Sequence, residues 1–338
     1  MTNRIALTFE DGVTRFIEAR AGELVADAAY REGVNIPMDC RDGACGTCKC
    51  RCEQGDYTLG SYIEDAMTED EAAAGYVLTC QMKAQSDCVI RIPASSAACK
   101  VKPGALAATM VEARKLSPTT IGFTVAVQDK AALSFLPGQY VNVSVPGTTQ
   151  TRSYSFSSMP KAGAVEFLVR NIPGGLMSSY LAERAGAGDA LTITGPIGSF
   201  YLREVKRPVL FLAGGTGLAP FLAMLEVLQA SGTQQPVHMI YGVTNDADLV
   251  EVDKLHAFAK TIPGFTFATV VADAASDHPR KGYVTHHLPD AALHGGDVDI
   301  YLCGPPPMVD AVRAFLDTRG VSPANFHFEK FSPSEAGK

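Results

Sequence analysis

Cys40, Cys45 and Cys48 stand at the spacing Cys-x4-Cys-x2-Cys, and Cys80 follows after 31 intervening residues. This is the ligand spacing of a plant-type 2Fe-2S cluster, in which four thiolates converge on two irons. Gly43, Ala44 and Gly46 lie between the thiols. Residues this small let a backbone wrap closely and donate N–H bonds to sulfur. Zinc also takes four thiolates, but not usually at this spacing in a glycine-rich loop. Cys50 and Cys52 would run away from the cluster along a strand at about 3.3 Å per residue. They, Cys88 and Cys99 are read as buried thiols.

Two further sets of residues suit redox chemistry. Arg152-x-Tyr154-Ser155 lies near a strand end, and Gly174-Gly175-x-x-Ser178-Ser179 opens a helix about twenty residues on. A cation and a helix N-terminus can hold the pyrophosphate of FAD, an aromatic ring can cover its flavin, and a hydroxyl can bond near the reactive nitrogen. Gly214-Gly215-Thr216-Gly217-Leu218-Ala219-Pro220 joins an apolar strand to an apolar helix. Such a turn admits a second pyrophosphate, that of a nicotinamide dinucleotide. It is not Gly-x-Gly-x-x-Gly, so a simple Rossmann dehydrogenase is not indicated. Cys303-Gly304-Pro305 sets a thiol at the carboxyl end of a later strand. Asn245, Asp246 and Asp248 are followed by no Lys or Arg before Lys254. A carboxylate there accepts a ribose hydroxyl and repels a 2′-phosphate, which predicts NADH over NADPH.

The elements that must position these residues fall into three groups. Alternating segments at 4–9 and 13–19 flank Asp11-Gly12 as a hairpin. A short helix near 24–31, a strand near 48–52, a helix opened by the capping box Thr68-x-x-Glu71 and a strand at 88–92 complete a small α+β module. Residues 93–104 read as a linker. Strands at 120–127, 139–145, 151–155, 165–169 and 191–194 suggest an antiparallel barrel. Apolar runs at 209–213, 237–241, 265–271 and 298–303 alternate with helices and suggest a doubly wound parallel sheet. The expected domains are therefore 1–98, 99–206 and 207–338.

The chain has 338 residues, 46% hydrophobic and 19% charged. No apolar run reaches the roughly 18 residues that a membrane span needs, and residues 1–12 lack the pattern of a secretory signal. A soluble, cytoplasmic protein is expected, one whose nine cysteines serve as ligands or buried thiols rather than disulfides. Residues 1–98 carry 9 Lys and Arg against 16 Asp and Glu, whereas 99–338 carry 20 of each. The excess negative charge at the front disfavours nucleic acid and suits a basic protein partner.

Together the motifs resemble those of the reductases of bacterial aromatic-ring-hydroxylating dioxygenases, of the benzoate or toluate 1,2-dioxygenase type, in the ferredoxin-NADP reductase superfamily. The likeness spans nearly the whole chain. It implies a β-grasp ferredoxin domain, an antiparallel β-barrel FAD domain and an α/β parallel-sheet NAD domain, in that order. Cluster ligation would fall to Cys40, Cys45, Cys48 and Cys80. Arg152 would meet the flavin phosphates, Tyr154 and Ser155 the ring, and Gly175, Ser178 and Ser179 the pyrophosphate. The resemblance further places Gly214, Gly215, Thr216 and Gly217 at the NADH pyrophosphate, Asp246 near the ribose and Cys303 beside the nicotinamide. Glu329-Lys330-Phe331 is similar to the family's acidic-x-aromatic ending, which makes Ser155, Cys303 and Glu329 the catalytic set and Phe331 the flanking aromatic. Seven residues follow Phe331, where plant-type reductases end at that aromatic.

NADH gives two electrons as hydride while a 2Fe-2S cluster takes one, so FAD must stand between them. The implied partner is the Rieske-type terminal oxygenase component. A reductase for a di-iron monooxygenase, of the phenol or methane hydroxylase type, would carry the same modules. An inactive scaffold serving only as an interaction protein is the reading from outside enzymology.

Overall fold

A computed structural model of the chain describes residues 2–38, 41–99, 104–130 and 133–331. Cys40, one of the expected cluster ligands, lies outside them. The chain divides into two compact units, Met1–Ala105 with Thr194–Ser199, and Leu106–Ile193 with Phe200–Lys338.

The first unit is built on β1 (Thr2–Phe9) and β2 (Thr14–Arg20), the hairpin that Asp11-Gly12 turns, with Gly12 at φ +77°. After α1 (Val25–Arg31) come β3 (Lys49–Gln54), β4 (Tyr57–Leu59), α2 (Glu69–Ala73), β5 (Tyr76–Leu78), β6 (Met82–Ala84) and β7 (Cys88–Ile92). The main sheet runs β2-β1-β7-β3-β5, with β1 and β7 parallel and the other pairs antiparallel. Sheet and helix make the α+β module that the motifs implied. Thr68 and Glu71 close the expected capping box reciprocally: Glu71 N–H donates to Thr68 Oγ1 at 3.2 Å, and Thr68 N–H to Glu71 Oε2 at 3.0 Å.

The start of the expected linker is not a free connector. Ala94 and Cys99 are buried. Glu10 N–H donates to Ala94 O, Asn35 N–H to Cys99 O, and Ser96 donates twice to Asp11 Oδ2. Its small residues serve close packing here rather than reach.

The second unit holds a parallel sheet and, apart from residues 104–105 and 194–197, a barrel. The barrel strands are β8 (Gly104–Lys115), β9 (Thr120–Val127), β10 (Tyr140–Ser144), β11 (Thr151–Ser155), β12 (Ala164–Arg170) and β13 (Ala190–Ile197), with α3 (Leu176–Glu183) between the last two. Their order is β11-β10-β13-β8-β9-β12. An antiparallel bridge from Phe156 to Phe167 links the two outer strands and nearly closes the barrel.

The parallel sheet comprises β14 (Val209–Gly214), β15 (Val237–Val243), β16 (Phe265–Val271), β17 (Asp299–Gly304) and β18 (Asn325–Lys330), with helices α4 (Ala219–Ser231), α5 (Val252–Thr261) and α6 (Pro306–Thr318). All adjacent pairs are parallel, in the order β16-β15-β14-β17-β18. Alternate residues of each strand bury on opposite faces. Phe211, Ala213, Tyr241 and Cys303 share a core with α4, whereas Leu210, Leu212, Ile240 and Leu302 share another with residues of α6. The strand order reverses between β14 and β17, which opens a crevice at their carboxyl ends. Among the described residues no helix is long and apolar enough to cross a membrane.

Candidate functional site

In the first unit a tight loop precedes β3. Gly43 has φ +85°, and a Cβ there would stand 2.5 Å from Ser61 O; at Gly46 it would stand 2.9 Å from Ala66 O. Only glycine lets this loop lie so close to the 61–66 segment. Cys48 and Cys80 are buried and their thiols hydrogen-bond to one another. Thr79 fixes the pair, its N–H and hydroxyl both donating to Cys48 O at 3.2 and 3.3 Å. The bond from Cys48 is the largest cause lowering the Cys80 thiol to about 7; burial opposes it and the Gly43 N–H assists it. Cys48 is correspondingly pushed up. Cys45 is half-buried in the same loop. Among the described residues no three potential ligands close into a metal-holding group. Two of the four expected thiols are thus in contact, and a sulfur accepting a backbone N–H from a glycine loop is the environment that suits an iron-sulfur cluster. Cys50, Cys52, Cys88 and Cys99 are buried away in the sheet and its flank.

In the second unit β11 carries the Arg-x-Tyr-Ser residues, paired to β10 in the register Val143 to Arg152, Val141 to Tyr154 and Tyr140 to Ser155. Arg152 and Tyr154 are both half-buried on one face of the strand. Tyr154 meets Phe123 edge-on at 5.9 Å, and burial raises its hydroxyl above the ordinary value. Arg152 Nη1 donates to Thr151 O at 2.8 Å, so its guanidinium folds back on its own strand. Gly175 is the N-cap of α3. Ser178 turns inward, donating to Ile172 O at 2.7 Å, while Ser179 is half-buried. The structure therefore brings neither Arg152 nor the Ser178 hydroxyl to a common point with the other flavin residues. The half-buried aromatic face and the α3 N-terminus fit a flavin dinucleotide.

Ser155, on the other face of β11, does converge. Its hydroxyl donates to Glu329 Oε2 at 3.0 Å, and Cys303 Sγ lies 3.8 Å from the same oxygen. The parallel register places Cys303 opposite Glu329 on β17 and β18. Burial first, then the Glu329 charge, pushes the Cys303 thiol well up, so it stays neutral. Phe331 N–H donates to Gly304 O at 3.0 Å, and its ring packs on the neighbouring core.

The glycine turn Gly214–Gly217 lies at the crevice between β14 and β17. A Cβ on Gly217 would stand 2.3 Å from Cys303 O, and one on Gly214 would stand 2.6 Å from Met308 Sδ. The two turns interlock only because these positions lack side chains. Thr216, half-buried, sits in the 3₁₀ turn ahead of α4, and Pro220 occupies the first turn of that helix. This cradle and helix start fit a dinucleotide pyrophosphate.

Asp246 is exposed, and its Oδ1 accepts from Ser276 Oγ at 2.8 Å. Ser276 did not stand out in the sequence, and the buried Asp248 stood there only as one of the acids around Asp246. His286 accepts from Tyr283 N–H and His287 bonds Lys281 O, both contacts within the local chain.

Comparison with known proteins bears on all three regions. Three domain families match successive stretches: a 2Fe-2S iron-sulfur cluster binding domain over residues 8–85, an oxidoreductase FAD-binding domain over 107–201 and an oxidoreductase NAD-binding domain over 211–314. The chain is 58% identical over 335 residues to the toluate 1,2-dioxygenase electron transfer component of Pseudomonas putida, covering 99% of this chain and 100% of that one. It is 52% identical to the 2-halobenzoate 1,2-dioxygenase electron transfer component of Burkholderia cepacia, over 99% of both. Among solved structures, an Amycolatopsis cytochrome P450 reductase superposes with TM-score 0.71 at 32% identity, over 97% of this chain and 99% of that one.

Proposed function

Because the chain belongs to the family of dioxygenase electron transfer components, we propose that it serves the Rieske-type terminal oxygenase of a benzoate-type aromatic dioxygenase in the cytoplasm. Its activity is that of an oxidoreductase carrying electrons from NADH through FAD to its own 2Fe-2S cluster. When bound, FAD supplies the change from a two-electron donor to a one-electron acceptor.

The contribution of the protein is placement. Cys40, Cys45, Cys48 and Cys80 would ligate the irons, with Gly43 N–H bonding a sulfur. Tyr154 would lie on the flavin and Ser155 beside its reactive nitrogen, with Arg152 and the Gly175, Ser178 and Ser179 turn toward the phosphates. Gly214, Gly215, Thr216 and Gly217 would admit the NADH pyrophosphate, and Asp246 would accept a ribose hydroxyl. The observation that carries this reading is the convergence of Ser155, Cys303 and Glu329 at the crevice where the barrel strand end meets the switch point of the sheet. Glu329 holds the Ser155 hydroxyl in one orientation, the neutral Cys303 thiol keeps the floor uncharged, and Phe331 helps keep water from the corner.

Identity of 58% and 52% to aromatic dioxygenase components supports this partner over the di-iron monooxygenase alternative. The test is to combine the purified chain, NADH and a benzoate-type terminal oxygenase and to follow cis-diol. Formation in proportion to the chain is expected; no product above background rejects the pairing.

A further inference from the structure

The turn that bears Asp246 is gripped from two sides. Ser276 holds Asp246 from one, as described. From the other, Asp248, a residue 7% exposed, turns its carboxylate toward the β8–β9 connection of the barrel. Its Oδ1 accepts from Ser117 Oγ at 3.1 Å and Thr119 Oγ1 at 2.5 Å, and its Oδ2 from Asn245 Nδ2 at 3.2 Å. The carbonyl of Asp248 also accepts from Tyr241 OH at 3.2 Å, at the end of β15. Ser117 and Thr119 form the connection from β8 to β9, and Thr119 N–H donates to Ser117 Oγ at 3.1 Å, which orders both hydroxyls.

Burying a carboxylate is costly unless every acceptor site finds a donor. An apolar residue would fill this position without that cost, so the carboxylate is present for direction rather than cohesion. The ion pairs of Lys254 with Glu166 at 3.0 Å and of Lys161 with Glu226 at 2.7 Å, which also link barrel and parallel sheet, involve more exposed groups. Asp248 ties the barrel to the turn two residues from the ribose acceptor.

We propose that Asp248 is a positioning residue for hydride transfer. By anchoring the 245–248 turn to Ser117 and Thr119, it sets where NADH bound at Asp246 stands relative to the barrel face that carries Ser155. The inference rests on the assignment of the NADH site given above. A shift of about 1 Å in such a register is enough to slow a reaction by an order of magnitude or more.

The test uses the full-length holoprotein and anaerobic rapid mixing with NADH, for wild type, Asp248→Ala, Thr119→Val and Thr119→Ser. Asp248→Ala is expected to slow flavin reduction at saturating NADH about tenfold and Thr119→Val about threefold, while Thr119→Ser stays near wild type. The Kd for NADH should move less, by about twofold, because Asp246 and the glycine turn are intact. Saturating rates within twofold of wild type, with only the melting temperature lowered, would overturn the proposal and leave Asp248 a purely structural residue. Should Asp248→Ala fail to fold, the near-isosteric Thr119→Val carries the same test. A wild-type flavin that NADH does not reduce would sink the parent assignment, and this inference with it.

Discussion

Three of the four expected cluster ligands fall within nine residues of sequence, at positions 40, 45 and 48, whereas the flavin–nicotinamide corner draws Ser155, Cys303 and Glu329 from a barrel strand and two strands of a parallel sheet. The first site is local. Its geometry is set by short-range glycine conformations and by one partner strand that returns Cys80 to Cys48. The second exists only once the barrel has nearly closed and β18 has paired in register with β17. Each is therefore vulnerable to a different kind of change: the loop to loss of a ligand, the corner to loss of register.

The largest expected effect breaks one side of that contrast cleanly. Cys45→Ser should abolish the iron-sulfur absorption while NADH still bleaches the flavin, because the loop and the corner belong to units with separate cores. Visible spectra before and after NADH check this. The converse is Glu329→Ala, which leaves the Ser155 hydroxyl without its acceptor. Flavin reduction should slow by about ten- to a hundredfold with the cluster spectrum unchanged, as measured by anaerobic rapid mixing.

Register can be disturbed more gently. In Gly217→Ala the added methyl meets Cys303 O, so the two interlocked turns must part. A stability loss of about 1–3 kcal/mol is expected, with weaker NADH binding, read by denaturant melts and titration.

The smallest effect is one of acidity. His327 is half-buried, tilted against Tyr301 at 4.8 Å, and pushed down to about 3, chiefly by burial and further by the Arg203 charge. The unfolded chain binds that proton below about 6.5 and the native chain does not, so stability should fall as pH drops from about 6.5 toward 3. His327→Gln should lose about 3 kcal/mol less than wild type between pH 6.5 and 4. Equal acid sensitivity of the two proteins, in melts across that range, would refute the assignment.

The same contrast governs what could be read from the sequence. The hairpin at Asp11-Gly12, the capping box at Thr68 and the strand β7 at Cys88–Ile92 are local patterns and stand where expected. The apolar runs of β14 to β17 were legible because strands buried on both faces are continuously hydrophobic. The 12-residue β8 was not, since GALAATMVEARK is rich in small residues and begins in what looked like a linker. Nor was β18, NFHFEK, whose side chains are only half-buried at the sheet edge. Glu329 could thus be named by resemblance, but its meeting with Cys303 depends on a pairing that no local pattern encodes. Asp248 was visible only as one of several acids, because its partners Ser117 and Thr119 lie 131 and 129 residues away.

The measurement that bears most directly on electron flow from NADH through flavin to cluster is anaerobic rapid mixing of the intact chain with NADH, followed at flavin and iron-sulfur wavelengths. Flavin bleaching should come first, with cluster reduction following at its own, NADH-independent rate. A cluster that stays oxidised while the flavin is fully reduced, or one that is reduced before the flavin, would contradict it.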